Sequence, residues 1–216
     1  SVMNAIDSAE DYSGDTVISL ANGTARLLTI AKQHDLSFDE IASTIKDIDR
    51  ASDYSENADD LISGSIKLLD ARGRYGVSHE DAVGLIKELD RGSDYSEHAS
   101  DLVTSAIRIM DAGQKSDVAY NDAIGFVKAL DRASDVSEHA IDLAGNAADL
   151  VEGCSTYGIS TDDAATLAKA LDRASDSSVN AGDITRNVVK LMEPMSEHKL
   201  SIERVTDLMK TVDRDN

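Results

Sequence analysis

The chain has 216 residues with no tryptophan, one proline, one cysteine and only 4% aromatic residues, a composition that argues against a β-sandwich or barrel and excludes an internal disulfide or a cysteine-based zinc site. Lys and Arg number 21 against 41 Asp and Glu, a net charge of −20, which disfavours direct contact with nucleic-acid phosphates or anionic membranes and favours a partner with a basic surface. Hydrophobic residues still make up 41% of the chain, enough for a buried core.

Taken from the start, Ser1 to Asp7 carries no signal-peptide pattern, and no later stretch reaches the length of a membrane span, so the expected location is cytoplasmic, with export by a non-classical route left open. A segment at Asp7-Ser8-Ala9-Glu10-Asp11-Tyr12-Ser13 then returns, after 42 residues, in stronger form as Asp49-Arg50-Ala51-Ser52-Asp53-Tyr54-Ser55-Glu56. It recurs every 41 residues, from Asp90 to Glu97, from Asp131 to Glu138 and from Asp172 to Asp176, and the chain closes on Asp213-Arg214. Self-similarity of this period marks a repeat architecture. The units are 7–48, 49–89, 90–130, 131–171 and 172–212, with a stub at 213–216, all in a single domain over 1–216.

Each unit reads as two helices. For the first helix of a unit, Asp53 is expected as N-cap with Glu56 three residues on, and Asp94 with Glu97 and Asp135 with Glu138 repeat the pair. In the second unit Ala58, Leu61, Ile62, Ser65, Ile66 and Leu69 share one helical stripe. The helix is expected to end in a loop at Arg72 to Gly76, with Gly113, Gly153 and Gly158 in the corresponding loops and Pro194 in the last. The second helix opens at Ser37, Ser78, Ala119, Ser160 and Ser201, followed three residues later by Glu40, Asp81, Asp122 and Asp163 in the first four. Leu36, Val77, Val118, Ile159 and Leu200 precede these caps as hydrophobic staples. Gly23 with Gly64, and Gly84 with Gly125, suggest close helix approach.

A helix pair of this size cannot bury its apolar stripes alone, so the expected fold is all-α, a right-handed α-solenoid of five stacked helix–turn–helix (αα-hairpin) repeats of about 41 residues. At roughly 8–10 Å per helix layer the rod would be about 45 Å long. In architecture, over nearly the whole chain, this resembles α-solenoids such as HEAT or tetratricopeptide arrays, although the tetratricopeptide Trp, Gly and Tyr signature and the ankyrin Thr-Pro-Leu-His motif are absent.

The repeated Asp-Arg pairs read as charges matched to helix termini: Arg at the end of its own helix, Asp near the start of the next. An EF-hand at Asp47, Asp49 and Asp53 fails because Ser52 stands where the loop needs Gly and Ala58 where it needs Glu. His98 and His139 share a repeat position but lack a third ligand, and Cys154 lies in the most acidic unit, which opposes a thiolate. No cofactor and no metal site is therefore expected. The residues most suited to contact a partner are the row Tyr12, Tyr54 and Tyr95, with Asp53, Asp94, Asp135, Glu56, Glu97 and Glu138 around it. Packing between layers is the bland reading of the tyrosines. The function that fits is a non-enzymatic protein-binding scaffold or adaptor. The rivals are an acidic nucleic-acid mimic that blocks a nucleic-acid-binding protein, and a structural or self-assembling spacer that forms homo-oligomers through its terminal repeats.

Overall fold

The computed structural model describes residues 17–52, 58–175 and 178–214, together with Val2, Asn4 and Ile6. Among the described residues the structure is all-helical, with no strand. From residue 17 on, the described residues form ten helices in order: α1 (Val17–Gln33), α2 (Phe38–Ala51), α3 (Ala58–Tyr75), α4 (His79–Gly92), α5 (Ala99–Ser116), α6 (Tyr120–Ala133), α7 (Ala140–Tyr157), α8 (Thr161–Arg173), α9 (Ala181–His198) and α10 (Ile202–Arg214). The chain divides into two compact units, residues 1–91 with 96–110, and residues 92–95 with 111–216. In the first, α3 packs on both α1 and α2. In the second, α7 packs on α9, α6 on α8 and α8 on α10, while α6 and α8 also touch α7 and α9. The core is aliphatic and small: Leu27, Ile41, Ile45, Leu61, Leu68 and Leu69 are fully buried in the first unit, Leu130, Leu143, Leu150, Val151, Leu167 and Val188 in the second.

The even-numbered helices start where local capping dictates. The Ser37 hydroxyl accepts the Glu40 N–H and the Glu40 carboxylate accepts the Ser37 N–H, a complete capping box. Ser78, Ser160 and Ser201 likewise accept the N–H of Asp81, Asp163 and Arg204, whereas Ala119 supplies no side-chain cap. These are the expected caps. The Glu40 carboxyl is held below the usual carboxylate range, first by the Ser37 backbone N–H, then by its hydroxyl, with a contribution from Arg72.

The odd-numbered helices depart from expectation at both ends. They run about one turn further, so Gly73, Gly113 and Gly153 lie inside α3, α5 and α7, and Pro194 lies inside α9 rather than in a loop. The chain turns instead at a left-handed residue: Asp35 (φ 54°), Gly76 (φ 65°), Asp117 (φ 53°), Gly158 (φ 65°) and Lys199 (φ 50°). After each, the N–H of Leu36, Val77, Val118, Ile159 or Leu200 donates to the carbonyl of Ala31, Arg72, Gly113, Cys154 or Met195, five residues back. This is the Schellman closure, which satisfies carbonyls that a helix end otherwise leaves open. The residues read as staples therefore also close the preceding helix. Of the glycines read as close-approach sites, a Cβ at Gly23 would strike Ile62, and one at Gly64 would only touch Val103. Gly125 faces open space, so helix approach does not account for it.

Arg72 shares its repeat position with Ala31, Gly113, Cys154 and Met195. It is 8% exposed, its Nε and Nη1 are buried without a partner among the described residues, and its Nη2 lies 3.7 Å from Glu40 Oε1. A buried guanidinium with one long contact recovers little of its desolvation cost. Arg72→Met, the residue found at this place in α9, is expected to raise stability by roughly 1–3 kcal/mol in urea denaturation. A loss of stability would mean that the guanidinium is fully compensated.

Candidate protein-binding surface

In the copies at Ser93-Asp94 and Ser134-Asp135 the repeated Ser-Asp segment does not enter a helix. These odd-numbered helices begin five residues beyond the expected Asp caps, at Ala99 and Ala140, and the N-cap of α7 is His139. In α9 the cap is Asn180, whose side chain accepts the Asp183 N–H. The cap position is the one occupied by His98 and His139. Among the described residues, no group of three or more His, Cys, Asp or Glu is placed to hold a metal ion.

The Ser-Asp segment has another use. The Ser52 hydroxyl donates to the Glu97 carbonyl (3.2 Å), Ser93 to the Glu138 carbonyl (3.3 Å) and Ser134 to the Val179 carbonyl (3.5 Å), each partner 45 residues ahead. In the second unit the Asp94 N–H donates to the Glu138 carbonyl (3.0 Å) and the Asp135 N–H to the Val179 carbonyl (2.8 Å). The Asp94 carboxylate accepts the Glu138 N–H at 3.2 Å. Glu138 completes the latch: its Oε1 accepts the Ala181 N–H, the first of α9, at 2.7 Å and the Ser134 hydroxyl at 3.2 Å. A carboxylate at a helix N-terminus satisfies orphan donors and suits the helix dipole. Asp94, Asp135 and Glu138 thus tie one copy of the motif to the next. The expected capping pairs Asp94 with Glu97 and Asp135 with Glu138 are corrected accordingly, because the partners that compete for these groups are distant in sequence.

The Asp-Arg pairs are also placed differently. Arg50, Arg91, Arg132 and Arg173 do lie in the last turns of α2, α4, α6 and α8, as the helix dipole favours, but Asp49, Asp90, Asp131 and Asp172 precede them in the same turns rather than starting the next helix. Arg91 pairs with Glu88 of its own helix at 2.9 Å.

Of the residues read as partner contacts, Tyr12, Asp53, Tyr54 and Glu56 lie outside the described residues. Glu97 and Glu138 are buried, so their side chains face inward, whereas Asp94 and Asp135 are exposed. Tyr95 is 45% exposed, and its ring stacks on His139 of the next copy at 4.0 Å between centroids and 16° between planes. Val136, at the next copy of the tyrosine position, is 44% exposed, and Ile141, in the first turn of α7, is 49% exposed. Tyr95, Val136 and Ile141 are therefore half of the large hydrophobic residues exposed among those described, and they lie in two hydrogen-bonded loops of the second unit and the first turn of α7 that follows. Asp94, Asp135 and Asp142, each next to one of them in sequence, are exposed as well. Ile141 was missed because the other copies hold Asp59, Ser100 and Gly182 at its position, so the repeat pattern does not single it out.

Cys154 is in the interior of α7, not in a loop, and burial, with Asp163 adding to it, pushes its thiol up to about 12. A thiol so protonated is a poor nucleophile. Among the described residues no helix is long and apolar enough to cross a membrane. No protein-family model matches the chain, and no curated protein matches it significantly.

Proposed function

We propose that the chain is a non-enzymatic protein-binding scaffold, a right-handed α-solenoid of five repeats whose motif residues hold the copies together and whose exposed residues outside that latch bind a partner. Supporting the solenoid reading, the odd-numbered helices from α3 start at residues 58, 99, 140 and 181, the even-numbered ones from α2 at 38, 79, 120, 161 and 202, and like packs on like within each unit. The single observation that carries the binding reading is the exposed row Tyr95, Val136 and Ile141 set among carboxylates. Aromatic and aliphatic anchors inside a polar rim are the usual make-up of a protein contact. A net charge of −20 favours a partner with a basic surface that buries an apolar group against Tyr95 and Ile141.

The test is affinity capture from native extract at two salt concentrations, with the native chain and a Tyr95→Ala/Ile141→Asp variant. The native chain is expected to retain one specific protein at the higher salt, because an apolar anchor is little screened. The variant is expected to lose about tenfold or more in affinity, the effect of removing one hot-spot residue. Equal capture by both would remove this edge as the binding surface, and turnover of a small molecule by the purified chain would overturn the non-enzymatic reading.

A further inference from the structure

Between α7 and α9 in the second unit runs an open groove of about 530 Å³. Its α7 wall carries Asp149 and Glu152, its α9 wall Arg186 and Lys190. Facing acids and bases would ordinarily close into ion pairs. Here Arg186 pairs with Asp183 of its own helix at 2.7 Å, and among the described residues neither Asp149 nor Glu152 forms an ion pair across the gap. On the groove's lining, the Thr185 hydroxyl is buried without a partner.

The repeat makes the arrangement conspicuous. Asp149 stands where the other copies have Arg26, Lys67, Arg108 and Lys190, a reversal of charge at one copy only. Arg186 stands where they have Asn22, Ser63, Thr104 and Gly145, a base introduced at one copy only. The two departures meet across this groove and produce one acidic and one basic wall. Neither is needed by the packing that the repeat positions share.

The spacing selects a ligand shape. Arg186 and Lys190 are about 6 Å apart along the helix axis at 1.5 Å per residue. Alternate side chains of an extended peptide are about 6.6 Å apart on one edge, and intervening ones point to the other edge. From Asn146 to Tyr157 the α7 wall spans roughly 16 Å, the length of about five extended residues. We infer that the groove binds an extended peptide segment of alternating charge, its cations toward Asp149 and Glu152 and its anions toward Arg186 and Lys190. This deepens the protein-binding reading and rests on it, adding a second contact to the loop edge.

The probe is a five-residue peptide of alternating lysine and glutamate, blocked at both ends, titrated by calorimetry and amide chemical-shift mapping. Shifts are expected to concentrate on α7 and α9. A peptide of the same composition with its three lysines together should bind several-fold more weakly, and Arg186→Glu/Lys190→Glu should weaken the alternating peptide by about tenfold. Adding Asp149→Lys and Glu152→Lys to that variant should restore binding, since both walls are then exchanged. The Tyr95→Ala/Ile141→Asp variant should bind the peptide normally, which separates failure at the loop edge from failure here. Equal binding of an all-lysine peptide, shifts elsewhere on the chain, or no rescue by the exchanged walls would overturn the proposal.

Discussion

Phe126→Ala is expected to destabilise the second unit by about 3–5 kcal/mol, the largest effect of any single substitution considered. Phe126 is the largest fully buried side chain among the described residues, 1% exposed, on α6, which packs against α7, α8 and α9. Truncation loses the transfer free energy of the ring and leaves a cavity between helices that cannot all move in. The repeat supplies an internal control. Leu208 occupies the same position in the last copy and is 57% exposed, so Leu208→Ala should cost well under 1 kcal/mol, as surface changes do. Urea denaturation of both variants, followed by circular dichroism, measures the difference. Similar losses for the two would mean that Leu208 is covered in solution.

Glu138→Ala is expected to cost about 2–3 kcal/mol, more than a helix-cap substitution ordinarily does. Its carboxylate serves a buried N–H at the start of α9 and a part-buried hydroxyl, at 2.7 and 3.2 Å. Without it, Ala181 keeps an N–H with no partner and no access to water, and the desolvation cost of such a donor falls on the folded state alone. Glu138→Gln keeps an accepting oxygen and should lose about half as much. If alanine and glutamine cost the same, the effect is packing and not the hydrogen bond. Partner capture through Tyr95 and Ile141 is a separate readout, because those side chains take no part in the latch.

The even-numbered helices were legible because their starts are written locally. Ser37 and Glu40, three residues apart, cap each other without help from the rest of the chain. The odd-numbered helices were harder, since Asp94 followed three residues later by Glu97 looks the same in sequence whether it caps its own helix or reaches another loop. The partners of Asp94 and Ser134 lie 44 and 45 residues ahead, and no local rule ranks them above a cap. Glycine misled at the helix ends for a related reason: Gly76 and Gly158 are left-handed, but Asp35, Asp117 and Lys199 hold the same conformation elsewhere. Position within the 41-residue period, rather than residue type, was the better guide to the turns. Asn180 followed by Asp183 was a capping signal available in the sequence, and extending it by the period would have placed the caps at His98 and His139.

The candidate surfaces were less legible than the fold. Tyr95 was readable as an anchor because it recurs with Tyr12 and Tyr54, yet its stacking on His139 joins residues 44 apart. The groove residues broke the repeat instead of following it, and that exception is intelligible only once α7 and α9 are side by side.

The central claim is that the recurring Ser-Asp motif fastens one copy to the next, leaving recognition to exposed residues outside that latch. Native-state hydrogen exchange at the amides of Asp94, Asp135 and Ala181 tests it most directly. All three should be protected to the level of the α7 interior, although two of them sit in loops, and Glu138→Ala should release Ala181 while α7 stays protected. Exchange of these amides at the rate of open loop positions in the native chain would contradict the account.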